Sequence, residues 1–104
     1  MNVELLYFDG CPSYERLLPR LRELVARADP EAQVELCRVE TIEGAERQRF
    51  LGSPTVRVDG RDVDPGAAER SDFGMKCRLY RTAGGLGPLP PDRWITEALG
   101  RASG

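Results

Sequence analysis

The 104-residue sequence contains no histidine. That absence excludes Ser-His-Asp and Cys-His catalysis and every metal site that requires imidazole. Lysine is nearly missing as well. Lys76 is the single lysine among 15 basic residues, so chemistry built on any other lysine is excluded. No C-x-x-C pair occurs, because the cysteines stand apart at Cys11, Cys37 and Cys77, which argues against a zinc knuckle. No apolar run approaches the roughly 18 residues of a membrane-spanning helix. The opening Met1–Phe8 lacks a basic region and a small-residue cleavage site, so it reads as a strand and not as a secretory leader. Nor is there an excess of positive charge. With 15 basic and 17 acidic residues the formal net charge is −2, so no basic field exists to hold nucleic acid or an anionic membrane. The expected setting is the cytoplasm, with neither nucleic acid nor membrane as partner.

What is present is the composition of an ordinary globular chain. Apolar residues make up 40%, and 11 glycines add to them. The length fits one domain, residues 1–104, with a modest core that closes without staples. An odd number of cysteines in a cytoplasmic chain argues against a structural disulfide framework. Thiols are therefore the leading candidates for any chemistry, and no cofactor is expected.

Residues 3–8 are nearly all apolar or aromatic, the pattern of a short buried strand. Asp9-Gly10-Cys11-Pro12-Ser13 breaks it with a tight turn. Leu17, Leu18, Leu21, Leu24, Val25 and Ala28 then recur at helical spacing, with Ser13 as a candidate N-cap, Cys11 or Pro12 also able to stand near the first turn, and Pro19 expected to kink the helix. Val34–Val39 reads as a second strand. Thr41–Leu51 reads as a second helix, capped by Thr41 and closed by Gly52. Thr55–Val58 and Arg61–Asp64 flank Asp59-Gly60, a strong two-residue hairpin signal. Residues 65–91 are rich in glycine and proline and read as loop, with Met75–Tyr80 either a short strand or a packed loop. Gly84-Gly85-Leu86-Gly87 has no Lys-Ser/Thr behind it and reads as a flexible loop, not a phosphate cradle. Asp92 caps a last helix carrying Trp94, Ile95, Ala98 and Leu99, with Trp94 in the core. The order β-α-β-α-β-β-α implies a right-handed parallel crossover followed by a hairpin. That is a mixed four-stranded sheet with helices on both faces, an α/β fold.

The turn that carries Cys11 makes this arrangement resemble the thioredoxin fold. Cys11-Pro12-Ser13-Tyr14 stands where that superfamily has its C-x-x-C. Pro19 stands where it carries a helix-kinking proline, and Ser53-Pro54-Thr55 stands where it has a cis-proline. The chain is similar in particular to the small bacterial thioredoxin-like proteins called the DF family. The similarity lies in Tyr7-Phe8-Asp9-Gly10-Cys11-Pro12, Gly52-Ser53-Pro54-Thr55-Val56 and Cys77-Arg78-Leu79-Tyr80. Some members are selenoproteins, and some carry an alkylmercury lyase-like label. The chain departs from the superfamily motif at Tyr14, so no dithiol cycle can run inside one C-x-x-C.

The resemblance implies a site. Cys11 at a helix N-terminus sees free amides and the positive end of the dipole, both of which favour thiolate. Asp9 opposes this if it points inward. Cys77 either folds back to resolve a mixed disulfide or sulfenate on Cys11, or is a packed cysteine in a short strand. Arg78 stabilises a thiolate or binds an anionic substrate group, unless it is a solvated charge. Tyr14 donates its hydroxyl to Cys11 or a substrate, or simply covers the helix start beside Pro12. A cis bond at Pro54 would expose the backbone of Ser53 to pair with a thiol peptide as an added strand, flanked by Thr55. Cys37, mid-strand, reads as a small hydrophobe. Three functions follow: a thiol–disulfide oxidoreductase acting on a protein or small-molecule thiol or disulfide, a thiol protein handling soft metals or organomercurials, and a non-catalytic thioredoxin-like binding module.

Overall fold

A computed structural model describes residues 1–103. Four strands form the sheet: β1 (Val3–Tyr7), β2 (Val34–Arg38), β3 (Thr55–Val58) and β4 (Arg61–Asp62), in the order β2-β1-β3-β4. The β1–β2 pair is parallel, in register from Val3↔Val34 to Tyr7↔Arg38. β3 returns antiparallel to β1, with Val3 opposite Val58 and Leu6 opposite Thr55. The sheet is therefore mixed and the chain α/β. No described helix is long and apolar enough to cross a membrane.

The helices are α1 (Ser13–Ala28), α2 (Ile42–Arg47) and α3 (Asp92–Ser103). In β1 the side chains alternate between two cores. Val3 and Leu5 pack with Leu17, Leu21, Leu24 and Val25 of α1, with Val56 and Val58 of β3, and with Ile95, Ala98 and Leu99 of α3. On the other face Leu6 packs with Val39, Ala45 and Phe50. Each fully buried Leu or Val contributes about 1.5–3 kcal/mol, so both faces of the central strand are strongly specified. β2 is an edge strand, and its Leu36 is 43% exposed.

Several expectations are corrected. Pro12, not Ser13, is the N-cap of α1, and Ser13 is its first residue. Pro19 lies inside α1, which runs as one element from Ser13 to Ala28, on its exposed side. Thr41 does cap α2, its hydroxyl accepting from the Gly44 amide at 2.9 Å. The helix, however, ends well before Gly52. Arg49 turns left-handed at φ 55°. The Phe50 amide then donates to the Ala45 carbonyl at 2.8 Å and the Arg49 amide to Glu46 at 3.2 Å. This is a Schellman closure with arginine in the usual glycine position, and the apolar Phe50–Ala45 contact accompanies it. The Arg57 guanidinium, reaching over from β3, donates to the carbonyls of Gln48 and Arg49. The β3–β4 turn follows the hairpin signal, with Asp59 at φ 51° and Gly60 at φ 81°. Its second strand stops at Asp62, two residues short of the expected end.

Residues 65–91 hold more structure than their composition suggests. A 3₁₀ turn spans Ala67–Glu69, and a small hairpin pairs β5 (Tyr80–Thr82) with β6 (Gly85–Gly87). Of the glycine run, Gly85–Gly87 is thus a strand and Gly84 lies in the turn before it. Trp94 is half-buried and meets the ring of Tyr80 edge-on at 6.1 Å, so it holds this segment as well as the sheet.

Candidate thiol site

Cys11 follows the end of β1 in the turn Tyr7–Ser13, its amide donating to the Phe8 carbonyl at 3.2 Å. The turn delivers its side chain beneath the chain, where only 1% of the residue is exposed. Cys11 is bonded to Cys77, 66 positions away, with a Cα–Cα distance of 5.6 Å. That separation suits a disulfide. The Cys11 sulfur lies 3.5 Å from the Ser53 carbonyl oxygen and 3.9 Å from the Ser13 hydroxyl. Asp9 does not face the sulfur. Its carboxylate points to Arg38, at 3.4 Å on the surface.

Cys77 is held in place by its neighbours. The Ser53 amide donates to the Lys76 carbonyl at 2.8 Å, and the Arg78 amide donates to the Ser53 carbonyl at 2.9 Å. These two bonds make a parallel bridge between Ser53 and Cys77. The backbone at Ser53 is therefore already paired, with the chain's own segment in the place reserved above for a thiol peptide. The Ser53–Pro54 bond is cis, and both residues are buried. The Pro54 carbonyl accepts from the Tyr80 hydroxyl at 2.6 Å. Burial pushes the Tyr80 hydroxyl far above its ordinary value, so it remains a proton donor.

Close approach of the two segments depends on Gly52, at φ +123°. A Cβ there would lie 2.8 Å from the Lys76 carbonyl oxygen and 3.0 Å from the Arg78 Cβ. Only glycine leaves this space free.

Arg78 is not a solvated charge. Its side chain is fully buried and turned away from solvent, 2.7 Å from Asp62 and 3.1 Å from Asp64, whose own side chains are 13% and 15% exposed. It also donates to the Thr55 hydroxyl at 3.0 Å, and that hydroxyl donates to the Gly52 carbonyl at 2.6 Å. The guanidinium stands 4.4 Å from the centre of the Tyr80 ring. Thr55 is thus a relay inside the site and offers nothing outward. Two buried polar side-chain atoms in this region, Ser53 Oγ and Arg78 Nε, find no partner among the described residues.

Tyr14 stacks on Tyr7 with ring centres 4.1 Å apart, and it packs against the α1 core. Desolvation, then Glu15, raises its hydroxyl above the ordinary value. The structure gives it the covering role at the helix start. Pro12 is exposed beside it. The structure thus brings together Cys11, Ser53, Pro54, Thr55, Cys77 and Arg78, with Pro12 and Tyr14 at the margin.

The sequence reading missed Gly52, Asp62, Asp64 and Tyr80. A signal existed for the two aspartates. They alternate with Val63, which is buried in the core, so both carboxylates leave the sheet on the opposite face and call for a cation. Among the described residues no group of three or more His, Cys, Asp or Glu side chains is placed to hold a metal ion.

Cys37 stands apart from this site. It is half-buried, its thiol donates to Glu4 at 3.6 Å, and burial followed by Glu4 pushes its pKa up to about 11. Against an ordinary value of 9.0, this lowers the thiolate fraction at pH 8 about 100-fold. Iodoacetamide should therefore label Cys37 about 100-fold more slowly in native than in denaturant-unfolded protein, with the native rate rising tenfold per pH unit up to about pH 11. Native and unfolded rates within threefold of each other, read by mass spectrometry, would refute the shift.

No family model, curated protein or solved structure matches the chain.

Proposed function

We propose that the protein is a thioredoxin-like thiol–disulfide exchange protein that cycles between a Cys11–Cys77 disulfide and the corresponding dithiol. One observation carries this reading: the segment bearing Cys77 is anchored over Cys11 by contacts that do not involve sulfur. The Ser53 backbone bonds, the Arg78 ion pairs and the Tyr80 hydroxyl do not pass through sulfur, so on this reading they hold the segment in the dithiol form as well. Both thiols then stay at bonding distance, so the effective concentration of one at the other remains high and the pair can close again. A disulfide whose only task was to pin a loose loop would have no need of those anchors. The thioredoxin-like part of the proposal is supported by the element order, by the cysteine in the β1–α1 turn and by the cis-proline that opens β3.

The substrate class is a protein or small-molecule disulfide or thiol. The test is turnover of glutathione disulfide with dithiothreitol as electron donor. Wild type and Cys37→Ser should turn over, whereas Cys11→Ser and Cys77→Ser should each lose at least about 100-fold, because the intramolecular step is gone. A native wild-type disulfide that dithiothreitol cannot reduce, or full turnover by Cys11→Ser, would overturn the proposal.

A further inference from the structure

We infer that the exchanging sulfur, the one that forms the mixed disulfide with a substrate, is that of Cys77, and that Cys11 is the buried resolving thiol. This rests on the exchange reading above and reverses the roles expected from the sequence, where Cys11 attacks and Cys77 resolves.

Accessibility carries the argument. Cys11 is 1% exposed, whereas Cys77 is exposed. Burial alternates along the segment: Arg78 and Tyr80 point inward, while Cys77, Leu79 and Arg81 lie on the outward row. Arg78 and Tyr80 are therefore the anchors, and they hold Cys77 facing solvent. Thiol–disulfide exchange proceeds by attack along the S–S axis, from behind the sulfur that is struck. The exposure of Cys77 leaves its side of the bond the more open to an incoming thiolate. The Cys11 sulfur, on a residue 1% exposed and 3.5 Å from the Ser53 carbonyl oxygen, is the less open of the two.

Leaving-group chemistry points the same way. The sulfur that departs should be the better thiolate. Cys11 stands just before the first turn of a 16-residue helix, with the Ser13 hydroxyl near its sulfur, and both favour developing negative charge on it against the opposing Ser53 carbonyl oxygen at 3.5 Å. Cys77 has no comparable support, because the Arg78 guanidinium beside it is committed to Asp62 and Asp64.

The steps balance. In the reductive direction an external thiolate attacks the Cys77 sulfur, the Cys77–Cys11 bond breaks, and its electron pair leaves on the Cys11 sulfur. A second external thiolate attacks the external sulfur of the mixed disulfide and releases Cys77 as thiolate. One external disulfide has formed and the protein pair has gained two electrons. In the opposite direction the Cys77 thiolate attacks an external disulfide and expels one thiolate. The Cys11 thiolate then attacks the Cys77 sulfur of the mixed disulfide and expels the second, and the protein pair is oxidised.

The test uses glutathione disulfide on reduced full-length Cys11→Ser and Cys77→Ser proteins, each also carrying Cys37→Ser. Acid quenching and intact mass give the rate of the glutathione adduct. The Cys11→Ser protein, with Cys77 free, should form it at least about 10-fold faster. Peptide mapping of reduced wild type, quenched early, supplies a measurement free of substitutions, and glutathione should be found on the Cys77 peptide. Equal rates, or a faster adduct on Cys11, would overturn the assignment while leaving disulfide exchange itself in place. No adduct on any of these proteins, wild type included, would overturn both.

Discussion

Replacing Arg78 with methionine is expected to destabilise the fold by about 3–5 kcal/mol, the usual consequence of stripping one partner from a buried ion pair. The cost arises on the acidic side. Asp62 and Asp64 are 13% and 15% exposed, so neither carboxylate can recover full hydration when the guanidinium goes. The Thr55 hydroxyl loses its donor as well. Removing the charges together should be far milder. Arg78→Met combined with Asp62→Asn and Asp64→Asn leaves no uncompensated charge and should recover at least half of the loss. Denaturant unfolding of both redox forms measures this, and the loss should appear in the reduced form too, because none of these contacts passes through sulfur. A loss below about 1 kcal/mol for Arg78→Met would mean that the group is solvated, as surface pairs are.

Gly52→Ala is the second large expected effect, at about 2–4 kcal/mol. Part of it is conformational, since a φ of +123° suits glycine and costs an L-residue about 1–3 kcal/mol. The rest is steric. The new methyl would sit 2.8 Å from a backbone oxygen, that of Lys76, which moves only if the whole 76–78 segment moves. Gly60→Ala is the control. Gly60 also has positive φ, at 81°, but nothing lies within 4 Å of its Cβ position, so its cost should stay near about 1 kcal/mol. Hydrogen exchange separates the two cases. In Gly52→Ala the amides of Ser53 and Arg78 should lose protection selectively, and the Cys11–Cys77 pair should become about 10-fold or more easier to reduce with glutathione. Unchanged protection at both amides would show that the two segments are not in the close contact described.

What could be read from the sequence was what local periodicity encodes. The β1 run, the α1 stripe from Leu17 to Val25 and the Asp59-Gly60 turn each carry their signal within a few residues, and each appears where expected. The Thr41 cap is of the same kind. The failures lie where a partner is distant. Cys11 and Cys77, 66 positions apart, are the exception: the return of Cys77 to Cys11 is one of the two readings its sequence leaves open, and the bond bears that one out. Arg78 looks like any arginine until Asp62 and Asp64, 14 to 16 positions earlier, are placed against it. Gly52 seemed to close a helix because helix-closing and close-packing glycines look alike in a sequence. What distinguishes them here is that Arg49 had already taken the left-handed position. The strand in Gly85–Gly87 went unseen because two of its three residues are glycines, which have no side chains to form an alternating pattern.

The bridge from Ser53 to Cys77 means that the chain is its own first ligand. An outside peptide seeking the same backbone groups competes with a tethered strand, whose local concentration is of the millimolar order typical of short linked segments. Two backbone hydrogen bonds, at about 0.5–1.5 kcal/mol each, cannot displace such a rival. Shape recognition at that edge is therefore foreclosed while the strap is seated. On the exchange proposal, discrimination among molecules that approach the pair passes to reactivity, and a newcomer is selected by how fast its sulfur exchanges and not by how well its backbone fits.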